Sequence, residues 1–122
     1  MRAYLVVAIA PLVLAAAAPV DPETSKDLRC FLAMSATAQS EDKAASLAAT
    51  IGGQYFLGRV DGRSPDLDLE SAIVAEASSM TDASLKSLLQ SCGQLMQERG
   101  RAVQGIGERM QKKERHSSST SS

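Results

Sequence analysis

The sequence predicts an all-α protein, a small four-helix domain with a long C-terminal helix and one disulfide. Apolar residues recur at spacings of three and four along most of the chain, which is the period of an amphipathic helix. Aromatic residues, which favour strands, make up only 3% of the composition. The two cysteines of the chain, Cys30 and Cys92, fall in the first and the last predicted helix.

The chain begins with the features of a secretory signal. Arg2 precedes an apolar run over residues 3–14, and four alanines follow at 15–18. A charged start, an apolar centre and small residues before a cleavage site are typical of a signal peptide. The run is shorter than the ~20 apolar residues of a membrane helix. We therefore assign residues 1–17 to a signal peptide, expect cleavage after Ala17 with Ala16 as the alternative, and expect a periplasmic or secreted protein without a stable membrane anchor.

The first two helices are predicted from their start signals. Residues 18–24 are assigned to an N-terminal linker and 25–113 to the helical domain, with a helix start signal at Asp21-Pro22 and an end near Ala38. Ser40 is expected to cap the second helix, with two acids in its first turn. The predicted buried stripe of that helix is Ala44, Leu47, Ala48, Ile51, Tyr55 and Leu57–Gly58.

The second half of the chain contains two further predicted helices. The second helix should end around residues 60–62, where Gly62 can adopt the left-handed conformation. The third should start at Ser64-Pro65-Asp66, and Thr81 should cap the fourth and longest. Residues 114–122, rich in serine, are assigned to a disordered tail. The predicted apolar stripe of the fourth helix is Leu85, Leu89, Cys92, Met96, Arg99, Val103, Ile106 and Met110.

Cys30 and Cys92 are expected to form a structural disulfide, because export places the pair in an oxidising compartment. A bond closing a loop of about 60 residues contributes ~4 kcal/mol in the chain-entropy estimate. Zinc binding would need further ligands, and the only histidine is His116 in the predicted tail. The Cys-x-x-Cys pattern of redox pairs is absent.

The composition disfavours several classes of function. The only histidine lies in the predicted tail, so no catalytic triad can be assembled, and none of the 14 acids falls in a distinctive carboxylate motif. We therefore expect no enzyme, no catalytic residue, no cofactor and no metal. The formal net charge of −1 disfavours a nucleic-acid partner. Charge is uneven, with 6 bases and 11 acids from Ala18 to Leu95 and 6 bases and 3 acids from Met96 onward. Helix-dipole bias explains this pattern, and a basic tail facing anionic lipid or an acidic partner is the alternative.

Gly93, Gly100 and Gly107 recur every seven residues in the fourth helix. Because glycine inside a helix costs up to ~1 kcal/mol relative to alanine, three in register suggest a helix-packing seam. The approaching helix would come from the same fold or from another protomer. Fraying of the helix beyond Val103 is the alternative.

The segment from Tyr55 to Arg63, YFLGRVDGR, is the most distinctive part of the chain. Gly62 is expected to form a tight turn. In one interpretation Asp61 pairs with an arginine and fixes the angle between the second and third helices. In the other, Arg59 and Arg63 form an anion or carboxylate site, because guanidinium groups suit bidentate recognition. The candidate residues are Tyr55, Phe56, Arg59, Asp61, Gly62 and Arg63.

This segment resembles a Y-F-x-G-R-x-D-G-R corner of uncharacterised small exported helical proteins of Gram-negative bacteria. The resemblance covers roughly residues 28–110 and implies a fold and a compartment, but no activity. The overall layout is also loosely similar to HdeA-type periplasmic acid-stress chaperones, although the spacing of the cysteines differs. We therefore expect a non-enzymatic exported protein that binds a protein partner or supports the cell envelope. The oligomeric state stays open, and a homodimer is one of the alternatives. An acid-stress holdase is the alternative.

Overall fold

Four helices make up the fold, in a computed structural model that describes residues 19–121. They are α1 (Pro22–Thr37), α2 (Lys43–Arg63), α3 (Leu69–Ser79) and α4 (Asp82–Ser119). The predicted all-α fold with a long C-terminal helix is confirmed. The predicted signal peptide lies outside the described residues. Within them, no helix combines the length and the apolar character needed to cross a membrane.

Side-chain caps define where the helices begin. Thr81 caps α4 as predicted and forms a reciprocal capping box with Ser84. The predicted cap of α2 was wrong: Asp42 caps that helix, while Ser40 accepts a hydrogen bond from the Asp42 N–H. The start of α3 was also predicted too early. Its cap is Asp68, because residues 64–67 form a turn before the helix begins.

Both ends of the helical domain extend further than predicted. The linker assigned to 18–24 already contains the first turn of α1, because the Asp21 carboxylate accepts hydrogen bonds from the Glu23 and Thr24 N–H groups. The disordered tail assigned to 114–122 is helical as far as Ser119. No glycine or proline interrupts residues 108–119, so nothing in that stretch ends the helix.

Helix α1 occupies the centre of the fold and contacts each of the other three helices. One cluster of buried side chains joins it to α2 and α4, and a smaller cluster joins it to α2 and α3. The predicted disulfide is confirmed: Cys30 of α1 and Cys92 of α4 are bonded, with their Cα atoms 5.7 Å apart. The buried members of the two clusters are Cys30, Met34, Ala49, Phe56 and Cys92 in the first and Leu28, Val60 and Ala72 in the second.

Helix α2 buries a different face from the predicted one. Leu47 and Ile51, which were predicted to be buried, are 63% and 58% exposed. The reason is a close approach at Gly52, where a Cβ atom would lie 2.9 Å from the Met96 sulfur and 3.1 Å from the Met34 sulfur. Only the absence of a side chain lets α2 lie this near to both neighbours. The buried face consists of Ala49, Gly52, Gly53, Phe56 and Val60.

No helix of the described residues packs closely against the three glycines that recur every seven residues in α4. At Gly93, Gly100 and Gly107, an added Cβ atom would have no neighbour within 4 Å among residues 19–121. The predicted intramolecular seam was therefore wrong. Seven-residue spacing identified glycines on one side of α4, but the close helix approach of this fold occurs at a glycine of α2.

Candidate functional site

The predicted corner lies in an ion cluster between α1 and α2. Arg59 and Arg63 are one turn apart near the end of α2, and both donate to Asp27 of α1. The Arg59 Nε lies 3.0 Å from each Asp27 carboxylate oxygen, and the Arg63 Nη1 lies 2.7 Å from Oδ2. The Asp27 side chain is 1% exposed. We name Asp27, Tyr55, Arg59 and Arg63 the arginine clamp.

Tyr55 completes this clamp from one turn before Arg59. Its hydroxyl oxygen accepts a hydrogen bond of 3.3 Å from the Arg59 Nη1, and its ring lies 5.7 Å from the guanidinium carbon. The hydrogen bond to Asp27 raises the pKa of Arg59, desolvation partly opposes it, and Tyr55 adds to the increase. The clamp is therefore a set of mutually satisfied groups that fastens α2 to α1.

Several expectations for the corner were wrong. Gly62 is not left-handed and makes no turn, because α2 continues through Arg63 and no glycine of the described chain has a positive φ. Asp61 is exposed and is not the partner of either arginine in the clamp. Asp61 lies two residues from each arginine in the sequence, so its side chain is rotated by about 200° around the helix axis from theirs. Phe56 is fully buried in the core, where its ring meets that of Tyr55 edge to face at 5.0 Å.

The sequence contained a signal for the missed residue. Asp27 immediately precedes Leu28, which is fully buried. Cys30, which is also buried, follows three residues after Asp27 on the same helix. An acid on the buried face of α1 needs a cationic partner, since a buried charge is stable only when it is paired. Arg59 and Arg63, spaced by four residues on α2, offer two such partners on one face. Recognising the pair required knowing that α2 packs on α1.

A second ion pair fastens α1 to α3. The Arg29 Nε lies 2.6 Å from Glu76 Oε2, and the Ser25 hydroxyl donates to Glu76 Oε1. Desolvation disfavours the charged form of Glu76, but the hydrogen bonds from Ser25 and Arg29 outweigh it and lower the pKa of this carboxyl. The charged side chains of α1 thus serve the internal architecture of the domain.

Among residues 19–121, most of the exposed large apolar side chains lie along α2 and the distal part of α4. A groove of about 350 Å³ separates these helices, lined by residues that include Ile51, Tyr55, Met96 and Val103. Large apolar side chains, each at least 48% exposed, extend from the groove along both helices. We name this set the apolar strip, and it consists of Leu47, Ile51, Val103, Ile106 and Met110.

The histidine and cysteine side chains of the described residues are not brought together with metal-binding partners. Within residues 19–121, no cluster of three or more His, Cys, Asp or Glu side chains has metal-binding geometry. Both cysteines are bonded to each other, and His116 is exposed near the end of α4. The arrangement offers apolar contact and the charges of the distal part of α4.

Comparison with known proteins adds no relative. No family model matches this chain, and no curated protein or solved structure does so either. The function of the chain therefore has to be argued from its own surface.

Proposed function

We propose that the chain is a small exported protein, periplasmic or secreted, that works by binding a protein partner and not by catalysis. The observation that carries this proposal is the apolar strip. Single exposed apolar residues are common on protein surfaces. Here five large ones lie on two helices: Ile51 and Val103 line one groove, and the other three extend from it along the same helices, although the buried core of the domain is small.

The shape of the groove favours a helical partner segment. Two helices with an apolar trough between them can take a third helix, whose apolar face then completes a small core. Arg99 lines the same groove, and its aliphatic stem can pack while its charge remains in water. The strip therefore combines an apolar centre with a charged margin, as protein interfaces do.

The arginine clamp is the less suitable binding surface. Its two guanidinium groups already bind a carboxylate, that of Asp27. An external anion would have to displace a side chain that is 1% exposed. The carboxylate that Arg59 and Arg63 bind is thus that of Asp27, within the same chain. The clamp supports the binding surface through Tyr55, which belongs to the clamp and also lines the groove.

Site-specific photo-crosslinking in cells tests this proposal. A photoreactive amino acid at Val103 should give covalent adducts, because this residue lies in the groove. The matched control is Val74 on α3, which is equally exposed at 63% but lies outside the strip. Adducts from Val103 and not from Val74 support the strip as the contact surface. Equal yields from both positions, or none from either, contradict it.

Export is supported by the N-terminal pattern and by a disulfide suited to an oxidising compartment. The intact mass of the protein in the periplasmic fraction should correspond to a chain starting near Ala18. Recovery of the uncleaved chain in the membrane pellet would overturn this part of the proposal.

An acid-stress holdase is the second candidate, and the interhelix ion pairs favour it. Both of these connections, Asp27 with its arginines and Glu76 with Arg29, require an ionised carboxylate. Below about pH 3 most carboxylates are protonated, so acid would weaken the ion pairs that hold α2 and α3 on α1 while the disulfide still joins α1 to α4. Acidified protein should then suppress the aggregation of an unrelated client. Acid unfolding without client protection would exclude this candidate.

A further inference from the structure

Helix α4 contains three consecutive seven-residue repeats. They are Gly93–Arg99, Gly100–Ile106 and Gly107–Lys113. Each repeat begins with glycine, has Met or Val at its fourth position and has glutamine at its fifth. Positions one and four of a heptad form the contact seam of a coiled coil. Glycine and a large apolar residue therefore alternate along one face of α4, and of the large residues only Met96 packs within the fold, against Gly52 of α2.

The seam begins at the groove and continues beyond the packed domain. Met96, Gly100 and Val103 line the groove, and Gly107 and Met110 continue the same face toward the C-terminus. Residues 101–104 and 108–121 are all exposed. We define residues 100–117 as the arm. The arm has an apolar face without a partner among residues 19–121, and the groove beside α2 is a trough that no part of the described chain fills.

We propose that a second copy of this chain supplies both missing partners. The arm of each copy lies antiparallel in the groove between α2 and α4 of the other. This inference rests on the proposed function, since it names the partner of the apolar strip. Because each chain carries one arm and one groove, a two-fold axis satisfies both contacts at once and closes the assembly as a dimer.

The heptad pattern favours the antiparallel orientation. In an antiparallel pair, the first position of one helix faces the fourth position of the other, so each layer joins one glycine to one Met or Val. Gly100 of one copy then faces Val103 of the other, and the missing side chain makes room for the large one. A parallel pair would stack glycine on glycine and Met on Met, which leaves alternating voids and crowded layers.

The distribution of charge agrees with this orientation. Residues 19–95 carry 6 bases and 11 acids, whereas residues 96–121 carry 6 bases and 3 acids. Antiparallel packing sets the basic arm of one copy beside a domain with a net negative charge, although the groove itself is lined by Arg99, whereas parallel packing sets two basic arms side by side. Opposite potentials on facing surfaces favour association and select orientation.

The contact area reaches the size of a small specific interface. The arm is about 27 Å long and a helix is about 10 Å wide. The groove spans α4 only from Met96 to Val103, so the arm also has to contact the surface beyond it. An arm in contact over its full length covers at most about 270 Å² on each side, and the two symmetric contacts then total at most about 1,100 Å². Specific interfaces start near about 1,000 Å². The dimer should therefore be of modest affinity and dissociate on dilution.

Sedimentation equilibrium on protein purified from cells expressing the full-length gene tests the dimer. The wild-type protein should show twice its own chain mass at the highest concentrations. Gly100→Gln should be monomeric, because its side chain blocks the close approach. It should melt no lower than the wild-type monomer, since glutamine is a good helix former and no atom lies within 4 Å of the added Cβ. Val74→Glu is the control and should still dimerise.

The orientation has its own readout. Spin labels on Arg115→Cys should lie about 40 Å apart in the antiparallel dimer and within about 15 Å in a parallel one. A short distance overturns the proposed arrangement. A wild-type protein that stays monomeric at all concentrations overturns the dimer, whether the arm then binds anionic vesicles or nothing. If Val103 still crosslinks to a different protein in cells, the proposed function stands and only the second copy fails.

Discussion

Replacing Asp27 with asparagine tests the arginine clamp most severely. The carboxylate is 1% exposed and accepts three hydrogen bonds from Arg59 and Arg63. The asparagine would keep the shape of the side chain but lose its charge, so two guanidinium groups would face a neutral amide. Breaking a buried ion pair costs about 3–5 kcal/mol. The arginines are 29% and 33% exposed, so water recovers part of that loss.

We expect Asp27→Asn to lower the free energy of unfolding by about 2–3 kcal/mol. For a domain of this size, each kcal/mol corresponds to about 4–8 °C, which gives a fall in melting temperature of about 10–20 °C. Thermal unfolding followed by circular dichroism at neutral pH and constant protein concentration measures this shift. Constant concentration matters because association contributes to the apparent stability.

Asp61→Asn is the matched control for this prediction. Asp61 is an exposed acid of α2, two residues from each arginine, and neither arginine of the clamp pairs with it. Its replacement should change the stability by no more than about 0.5 kcal/mol. If Asp61→Asn destabilises the protein as much as Asp27→Asn, or if Asp27→Asn is neutral, the clamp does not fasten α1 to α2.

Three further changes test the packing and the ion pairs of the domain. Replacing Cys30 and Cys92 with serine should lower the melting temperature by ~15 °C or more, and two reactive thiols in freshly isolated wild-type protein would show that the bond is absent. Gly52→Ala should lose most or all of the gain in helix propensity that alanine offers, because its Cβ would lie 2.9 Å from the Met96 sulfur and the methionine side chains would have to move. Gly58→Ala, on the same helix with open space around it, should stabilise by up to ~1 kcal/mol, and an equal gain from Gly52→Ala would contradict the close approach. The pKa of Glu76 is lower in the folded state than its ordinary value of about 4.3. The ionised carboxylate therefore stabilises the fold above that ordinary value, and this stabilisation is lost as the pH falls through the folded-state pKa. The stability difference between wild type and Glu76→Gln should therefore shrink from pH 6 to pH 3, and a constant difference would contradict it.

The helices and the disulfide could be predicted because their signals are local or nearly unique. Thr81 could be recognised as a cap because its hydroxyl bonds within its own first turn. Cys30 and Cys92 are the only two cysteines, so only one pairing exists. Neither prediction needed knowledge of how the helices are arranged in space.

The buried face of α2 and the partner of the arginines could not be predicted for the opposite reason. Helix α2 carries apolar or small residues on two faces, and both have helical spacing. Which face is buried depends on Gly52 and on the methionines that meet it from α1 and α4. Likewise, Asp61 is near Arg59 in sequence, but Asp27 is near it in space. Packing between helices decided both outcomes.

Amide hydrogen exchange along α4 tests the central claim, that the arm and the apolar strip form a contact surface. If the arm lies against a partner, amides from Gly107 to His116 are protected in the wild-type protein at high concentration. The protection should fall on dilution and be absent in Gly100→Gln. A solitary helix end has little protection, since nothing but its own hydrogen bonds holds it. Exchange in these residues that is fast at every concentration would contradict the proposed contact surface.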